Sequence, residues 1–417
     1  MKMFKKIFSN QLISGSLAMT IGTGIAGVGN YLYHLLMGRM LGPTDYGILA
    51  SLISLSYLLS IPTATLNLVL VKFVSAFKGK KDFNAIRGLF KVSAQKILPF
   101  VLVFLLIFLI LTPFIISFLH LNSSLPFILV LLAFFISVFL TINRAFLQGL
   151  LRFGYFSFSS ILEIFLKLSV AIPLVIWGFK VNGALFGFLV GGIFGYLFTL
   201  IPLRWLFEKK NQKLKMGKKK ILSFTLPVFF STLAFTSLYT SDVVLVRHFL
   251  PGQESGFYAA LALLGKIIFF ATSPIVAVSF PLISERHASG DKYRHLLWTS
   301  LGLVGGICFL AMTVYFLFPS FLIKILYGSQ YLPAVPFLGI FAVFLSLYSL
   351  SFLFVNFFLS IGRVKTVILP VVAGIFQIIF ICFFHQNLRQ IIFISVALAA
   401  LLLVSLLLYC LQTIKKN

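Results

Sequence analysis

Long apolar runs separated by short polar breaks dominate this chain. They recur at about twelve places, roughly 12–37, 45–70, 92–119, 124–150, 156–178, 181–205, 221–246, 256–283, 296–320, 332–359, 366–385 and 388–412. Each is long enough to cross a hydrocarbon core of ~30 Å, which takes ~20 residues of helix. The runs lack the period-two alternation of a membrane β-barrel, so the pattern predicts helices throughout. The first run is long and contains Ser, Gly and Asn, which predicts a retained helix and not a cleaved signal peptide.

The polar breaks repeat. Arg39, Gly42, Pro43, Asp45, Gly47 and Ala50 mark the join after the first run; Arg247, Pro251, Gly252, Glu254, Gly256 and Ala259 mark the join after the seventh. A shift of 209 residues carries Gly47 to Gly256, Ala50 to Ala259, Ser75 to Ser284 and Asp82 to Asp291. Further on, Asn143, Gly149 and Arg152 align with Asn356, Gly362 and Lys365 at a shift of 213. The expected organisation is an all-α polytopic membrane protein of two pseudo-symmetric six-helix lobes, 1–207 and 221–417, joined by a basic linker over 208–220. Duplication of this kind is the usual sign of a transporter, because similar halves can rock about a site between them.

Composition excludes a water-soluble globule: 60% of residues are hydrophobic, 10% are charged and mean hydropathy is +1.09. The formal charge of +26 suggests nucleic acid only until its distribution is considered. Of the 34 Lys and Arg residues, 27 fall on the side of the N-terminus, 5 on the opposite side and 2 within spans. The positive-inside rule then places both termini in the cytoplasm, with an even number of crossings. The run from Lys209 to Lys220 reads as a topogenic linker lying on the lipid surface. No nucleic-acid partner is expected.

Catalytic chemistry has little to stand on. Gly22, Gly24 and Gly27 match the spacing of the dinucleotide fingerprint, but they lie inside the first apolar run with no strand before them. Gly183, Gly187, Gly191 and Gly195 recur every fourth residue, which lines one helix face for close packing. Cys308, Cys382 and Cys410 are scattered, and the six His are dispersed along the chain. Neither a cofactor nor a metal is expected, and the loops are too short for an enzymatic domain.

Charges inside spans are the informative residues, since each costs about 2.5–3.5 kcal/mol or more at the bilayer centre. Lys167 lies ~16 Å into span five and Lys266 ~15 Å into span eight by helical rise, so each half has a midplane cation. Arg144 falls near the cytoplasmic end of span four, and Arg39 and Arg247 at the outer ends of spans one and seven. Together they form a ladder that an anion would follow. Other readings stand beside this one: Glu163 is four residues before Lys167 and neutralises it, or Arg39 and Arg247 lock their turns through Asp45 and Glu254, or both snorkel. Glu163 and Asp242 are the in-span acids. Asp242 is either a proton or Na⁺ site or a structural hydrogen-bonding group. Pro62, Pro274 and Pro281 interrupt the backbone ladders of spans two and eight and are candidate hinges.

The segment from Gly38 to Ala50 resembles the signature of polysaccharide, or O-antigen, flippases of the Wzx type, within the multidrug/oligosaccharidyl-lipid/polysaccharide exporter superfamily. Twelve spans, the basic central linker and cytoplasmic termini extend the likeness over the whole chain. The second copy departs from the signature, with Pro251 and Gly252 reversing the order of Gly42 and Pro43. The resemblance implies a V-shaped alternating-access transporter in the bacterial cytoplasmic (inner) membrane. It would carry lipid-linked oligosaccharide to the outer leaflet as a monomer, beside polysaccharide polymerase and glycosyltransferases. A cation-coupled multidrug exporter is the alternative within the superfamily, although it calls for acids where this chain has cations. A membrane glycosyltransferase or ligase would need a large reactive loop.

Overall fold

Gly42 breaks the first helix. In the computed structural model α1 runs Gln11–Leu59, but Gly42 has φ 71° and ψ 175° and Pro43 follows it. Only glycine takes that backbone without strain, and proline is suited to the first turn of the helix that restarts. A second break at Ser60 bends the chain by 44° between Gly22–Leu59 and Ile61–Ser75, and Pro62 stands at the start of the new helix. The description covers residues 11–79, 81–207, 226, 229–230, 232–289 and 294–416. The basic linker 208–220 and Asp291 lie outside it.

The remaining helices are α2 (Ile61–Gly79), α3 (Phe83–Ile110), α4 (Thr112–Phe118), α5 (Leu125–Gly149), α6 (Phe153–Leu174) and α7 (Lys180–Leu203). They are followed by α8 (Ser241–Phe249), α9 (Gln253–Ser289), α10 (Arg294–Leu317), α11 (Pro319–Tyr327), α12 (Val335–Ser360), α13 (Ile368–Phe383) and α14 (Leu388–Lys416). Pro274 and Pro281 are both taken up within α9, which continues past each; Pro281 is described only as a backbone position. Among the described residues eight helices are long and apolar enough to cross a membrane, or nine with the bent pair counted as one span. The expected twelve runs are partly merged in that count. Phe153–Phe207, for instance, is one 55-residue stretch with a π turn at Val175–Phe179 and Gly178 at φ 91°.

That stretch folds back as a hairpin, and the glycine row explains how. A Cβ at Gly183 would meet Leu174, one at Gly187 would lie 2.6 Å from the Lys167 carbonyl oxygen, and one at Gly191 would lie 2.5 Å from that of Glu163. Ascending numbers on α7 meet descending numbers on α6, so the helices are antiparallel with their backbones in near contact. Gly187→Val is expected to destabilise the protein by about 1–3 kcal/mol through overpacking. A thermal melt in detergent unchanged from wild type would contradict it.

The described residues fall into two compact units: those of Met1–Leu41 with Leu59–Phe229, and those of Gly42–Leu58 with Phe230–Asn417. The units are not simple halves, since the start of span two belongs with the C-terminal helices. Each unit is built around one central helix. In the first it is α5, whose Phe127, Val130, Val138, Ala145 and Phe146 are buried against α2, α3 and α7. In the second it is α12, which is apolar and buried around most of its circumference by α9, α10 and α14.

The turns that end these two helices are the same turn. Leu150 N–H donates to Phe146 O, Leu151 to Gln148 O and Arg152 to Leu147 O; Ile361, Gly362 and Arg363 repeat the pattern onto Phe357, Leu359 and Phe358. The structural shift is therefore 211 residues and not 213, and Arg152 corresponds to Arg363 in place of Lys365. Leu151 holds φ 59° where Gly362 holds φ 78°. A left-handed leucine costs about 1–2 kcal/mol, and this one is 47% exposed, so little packing is lost without it. Leu151→Gly should raise the melting temperature, and a lowered one would refute the strain argument.

Candidate functional site

The two midplane lysines occupy different surroundings. Lys167 in α6 is 3% exposed, and its ammonium donates to Asn30 Oδ1 of α1. It also lies 4.4 Å from the Tyr33 ring centre and 4.0 Å from that of Phe188. Tyr33 is itself tied to α7, its hydroxyl donating to the Ala184 carbonyl at 3.0 Å. Glu163 exerts a Coulombic pull on Lys167, but its carboxylate pairs with Arg144 of α5 at 2.7 Å. Arg144 also donates through Nε to Ser159 Oγ at 2.9 Å. One of its terminal nitrogens is buried with no hydrogen-bond partner. Arg144, Glu163 and Lys167 thus cross-link α5, α6 and α1 inside the first unit, with the acid shared chiefly toward Arg144.

Lys266 in α9 is 9% exposed and, among the described residues, its ammonium has neither a hydrogen bond nor an ion pair. It faces two aromatic rings, Tyr239 at 5.1 Å and Tyr57 at 5.8 Å, the latter from the part of α1 that joins the second unit. Tyr239 is packed in turn on Phe269 and Tyr348. Asp242 attracts Lys266 electrostatically without reaching it. A cation held by π faces and a distant acid is only partly compensated for leaving water. It can still accept a strong anionic ligand.

Asp242 has its own partners. Sitting in the first turn of α8, it accepts the Val243 N–H at 2.8 Å and the Tyr258 hydroxyl of α9 at 2.8 Å, and it is 1% exposed. On α14, Ser395 Oγ accepts from Gln377 Nε2 of α13 at 2.9 Å. Gln377 Oε1 is buried without a partner. Asp242 thus joins α8 to α9 through Tyr258, while Ser395 and Gln377 join α14 to α13. Reading the sequence for charges missed Tyr258, Ser395 and Gln377, because none is charged. Gln377 is nevertheless the lone amide in the apolar run of α13.

The outer-end arginines divide as well. Arg247 is 3% exposed, donates to Ser255 Oγ at 3.2 Å and is drawn toward Asp45. Copy two of the repeated motif thus engages an acid of copy one. The contact is tight: a Cβ at Gly47 would lie 2.2 Å from Ser255 Oγ, and one at Gly256 would lie 1.9 Å from the Pro43 carbonyl oxygen. Arg39 is exposed and belongs to the other unit.

The fold resembles that of solved helical transporters of the multidrug/oligosaccharidyl-lipid/polysaccharide superfamily. The fold matches a multidrug resistance MATE family transporter of that superfamily in its inward-facing conformation, with TM-score 0.76 and 17% identity, covering 97% of this chain and 98% of the other. It also matches the lipid II flippase MurJ in an inward closed conformation, with TM-score 0.73 and 13% identity over 95% and 87% of the two chains. Residues 36–336 match the polysaccharide biosynthesis protein family, and the chain belongs to that family. An uncharacterised membrane protein of Methanocaldococcus jannaschii is 25% identical over 307 residues, 67% of this chain and 70% of that one. The resemblance drawn from Arg39 to Ala50 holds at this level.

Proposed function

We propose that the protein is a flippase that moves polyprenyl-diphosphate-linked oligosaccharide from the cytoplasmic to the outer leaflet of the cytoplasmic membrane, for assembly of surface polysaccharide. Two lobes, 1–207 and 221–417, rock about a cationic lumen, with Pro62 and the proline positions of α9 as the bending points. The observation that carries this reading is Lys266, a buried ammonium with no hydrogen-bond acceptor among the described residues. It is the head-group contact. Lys167 and Arg144 hold the first unit's helices in register, Arg247 fixes the outer join, and the exposed Arg39 remains a second candidate contact. A diphosphate of about −2 moving outward in an inside-negative membrane gains roughly 4–5 kcal/mol per 100 mV, so the potential helps export. Asp242, hydrogen-bonded to Tyr258, is the candidate coupling group for a proton or Na⁺.

A cation-coupled multidrug exporter is the second reading, with the buried Asp242 as the acid it would use. Purified protein in proteoliposomes distinguishes them. Fluorescent lipid-linked oligosaccharide should become accessible to an external modifying reagent faster than in empty vesicles, while uptake of organic cations stays at background. The opposite pattern would replace the flippase by the exporter.

A further inference from the structure

Among the described residues, two cations at one end of the first unit are held together with no acid between them. Lys78, in the last turn of α2, donates to the Leu150 carbonyl at 2.7 Å; Arg152, two residues further along that turn, donates to the Pro202 carbonyl at the end of α7. The two repel: the Lys78 pKa is lowered by burial and then by the Arg152 charge. Carbonyl tethers can hold like charges close, but they do not neutralise them.

Trp205, in the 3₁₀ turn Arg204–Phe207, sits beside this pair. The Arg152 guanidinium lies 6.0 Å from its ring and that of Arg87 lies 5.4 Å from it, while Arg87 Nε donates to the Trp205 carbonyl at 3.2 Å. The indole N–H is buried with no hydrogen-bond partner. Next to the cluster, Phe83, Ile201 and Phe207 are 49%, 61% and 58% exposed, an apolar rim suited to acyl chains. All of these cations belong to the basic side of the chain, where the positive-inside rule puts the cytoplasmic leaflet.

We propose that Lys78, Arg152 and Arg87 around Trp205 form a binding site for the phosphate of an anionic phospholipid of the cytoplasmic leaflet. One phosphodiester between Lys78 and Arg152 relieves their repulsion, supplies charge-assisted hydrogen bonds and gives the indole N–H an acceptor. The acyl chains then lie along the exposed Phe83, Ile201 and Phe207. The site is separate from Lys266 and does not depend on the transported substrate.

The chain has three Trp residues, and Trp177 and Trp298 are 73% and 54% exposed. Trp177→Phe with Trp298→Phe leaves Trp205 as the sole tryptophan in the full-length protein, excited selectively over tyrosine. In nanodiscs of phosphatidylcholine doped with brominated phosphatidylglycerol, its quenching should exceed that by brominated phosphatidylcholine at equal dose. Each cation is expected to contribute roughly fivefold to that preference. Arg152→Gln and Lys78→Gln should each remove most of it, while Arg152→Lys, which retains the charge, should keep it and verify folding. Equal quenching by the two lipids, or a preference that survives Arg152→Gln in the well-folded protein, overturns the proposal. So does inorganic pyrophosphate abolishing the preference at submillimolar concentration, which would assign the site to a soluble anion.

Discussion

Gly256→Ala is expected to cost the protein its folded second unit. The new methyl carbon would stand 1.9 Å from the Pro43 carbonyl oxygen and 2.4 Å from its carbon, and Pro43 is buried backbone that has no rotamer to change. Overpacking of side chains costs about 1–3 kcal/mol, and a collision of main chain with main chain belongs at or above the top of that range. Gly47→Ala should follow closely, because it meets both Ser255 Oγ and the Gly256 nitrogen at 2.2 and 2.8 Å. Gly24→Ala is the control. Nothing lies within 4 Å of its Cβ, so helix propensity alone acts and favours alanine by up to about 1 kcal/mol. Monodisperse yield in detergent and melting temperature read all three. A Gly256→Ala protein as stable as Gly24→Ala would mean that the two motif copies do not pack as described.

Lys266→Glu is expected to abolish surface polysaccharide while leaving the protein inserted. The substitution puts a carboxylate beside Tyr57 and Tyr239, where the diphosphate is proposed to dock, and replaces the attraction to Asp242 by repulsion. In a low-dielectric site that repulsion acts on the head group and on the local fold alike. Lys266→Met separates the two effects, since it removes the cation without adding an acid; it should lower transport strongly and leave stability near wild type. Lys266→Arg should retain function. The measurement is complementation of a flippase-null strain with membrane quantification of each variant. Normal polysaccharide from well-inserted Lys266→Glu would remove Lys266 from the mechanism. If Arg39→Glu were also tolerated, the cationic-lumen reading would fall with it. Under the multidrug exporter reading, the added acid would be tolerated or would improve uptake of organic cations.

The membrane class, the helical character and the family resemblance were legible because they depend on quantities that add along the chain. Apolar length, loop charge and the repeated Arg39–Ala50 and Arg247–Ala259 joins need no knowledge of neighbours. The glycine row on α7 was equally plain, since a four-residue period names a helix face whatever packs on it. The offset between Arg152 and its counterpart was not legible. Sequence identity favoured Lys365, whereas the shared turn of backbone hydrogen bonds selects Arg363.

Helical rise by itself put Lys167 and Lys266 at similar expected depths in apolar runs, one in each half. Only the tertiary structure decided that they differ. Lys167 meets Asn30, Tyr33 and Phe188 across three helices, and Glu163 turns to Arg144, while Lys266 is left with aromatic faces and a remote Asp242. The partition of span two was decided in the same way: residues 42–58 read as part of the first half, yet they belong to the second compact unit. The physical reason is common to these cases. Hydropathy and charge reside on each residue, but compensation of a buried charge and close approach of two backbones depend on which helices are neighbours, and the fold sets that.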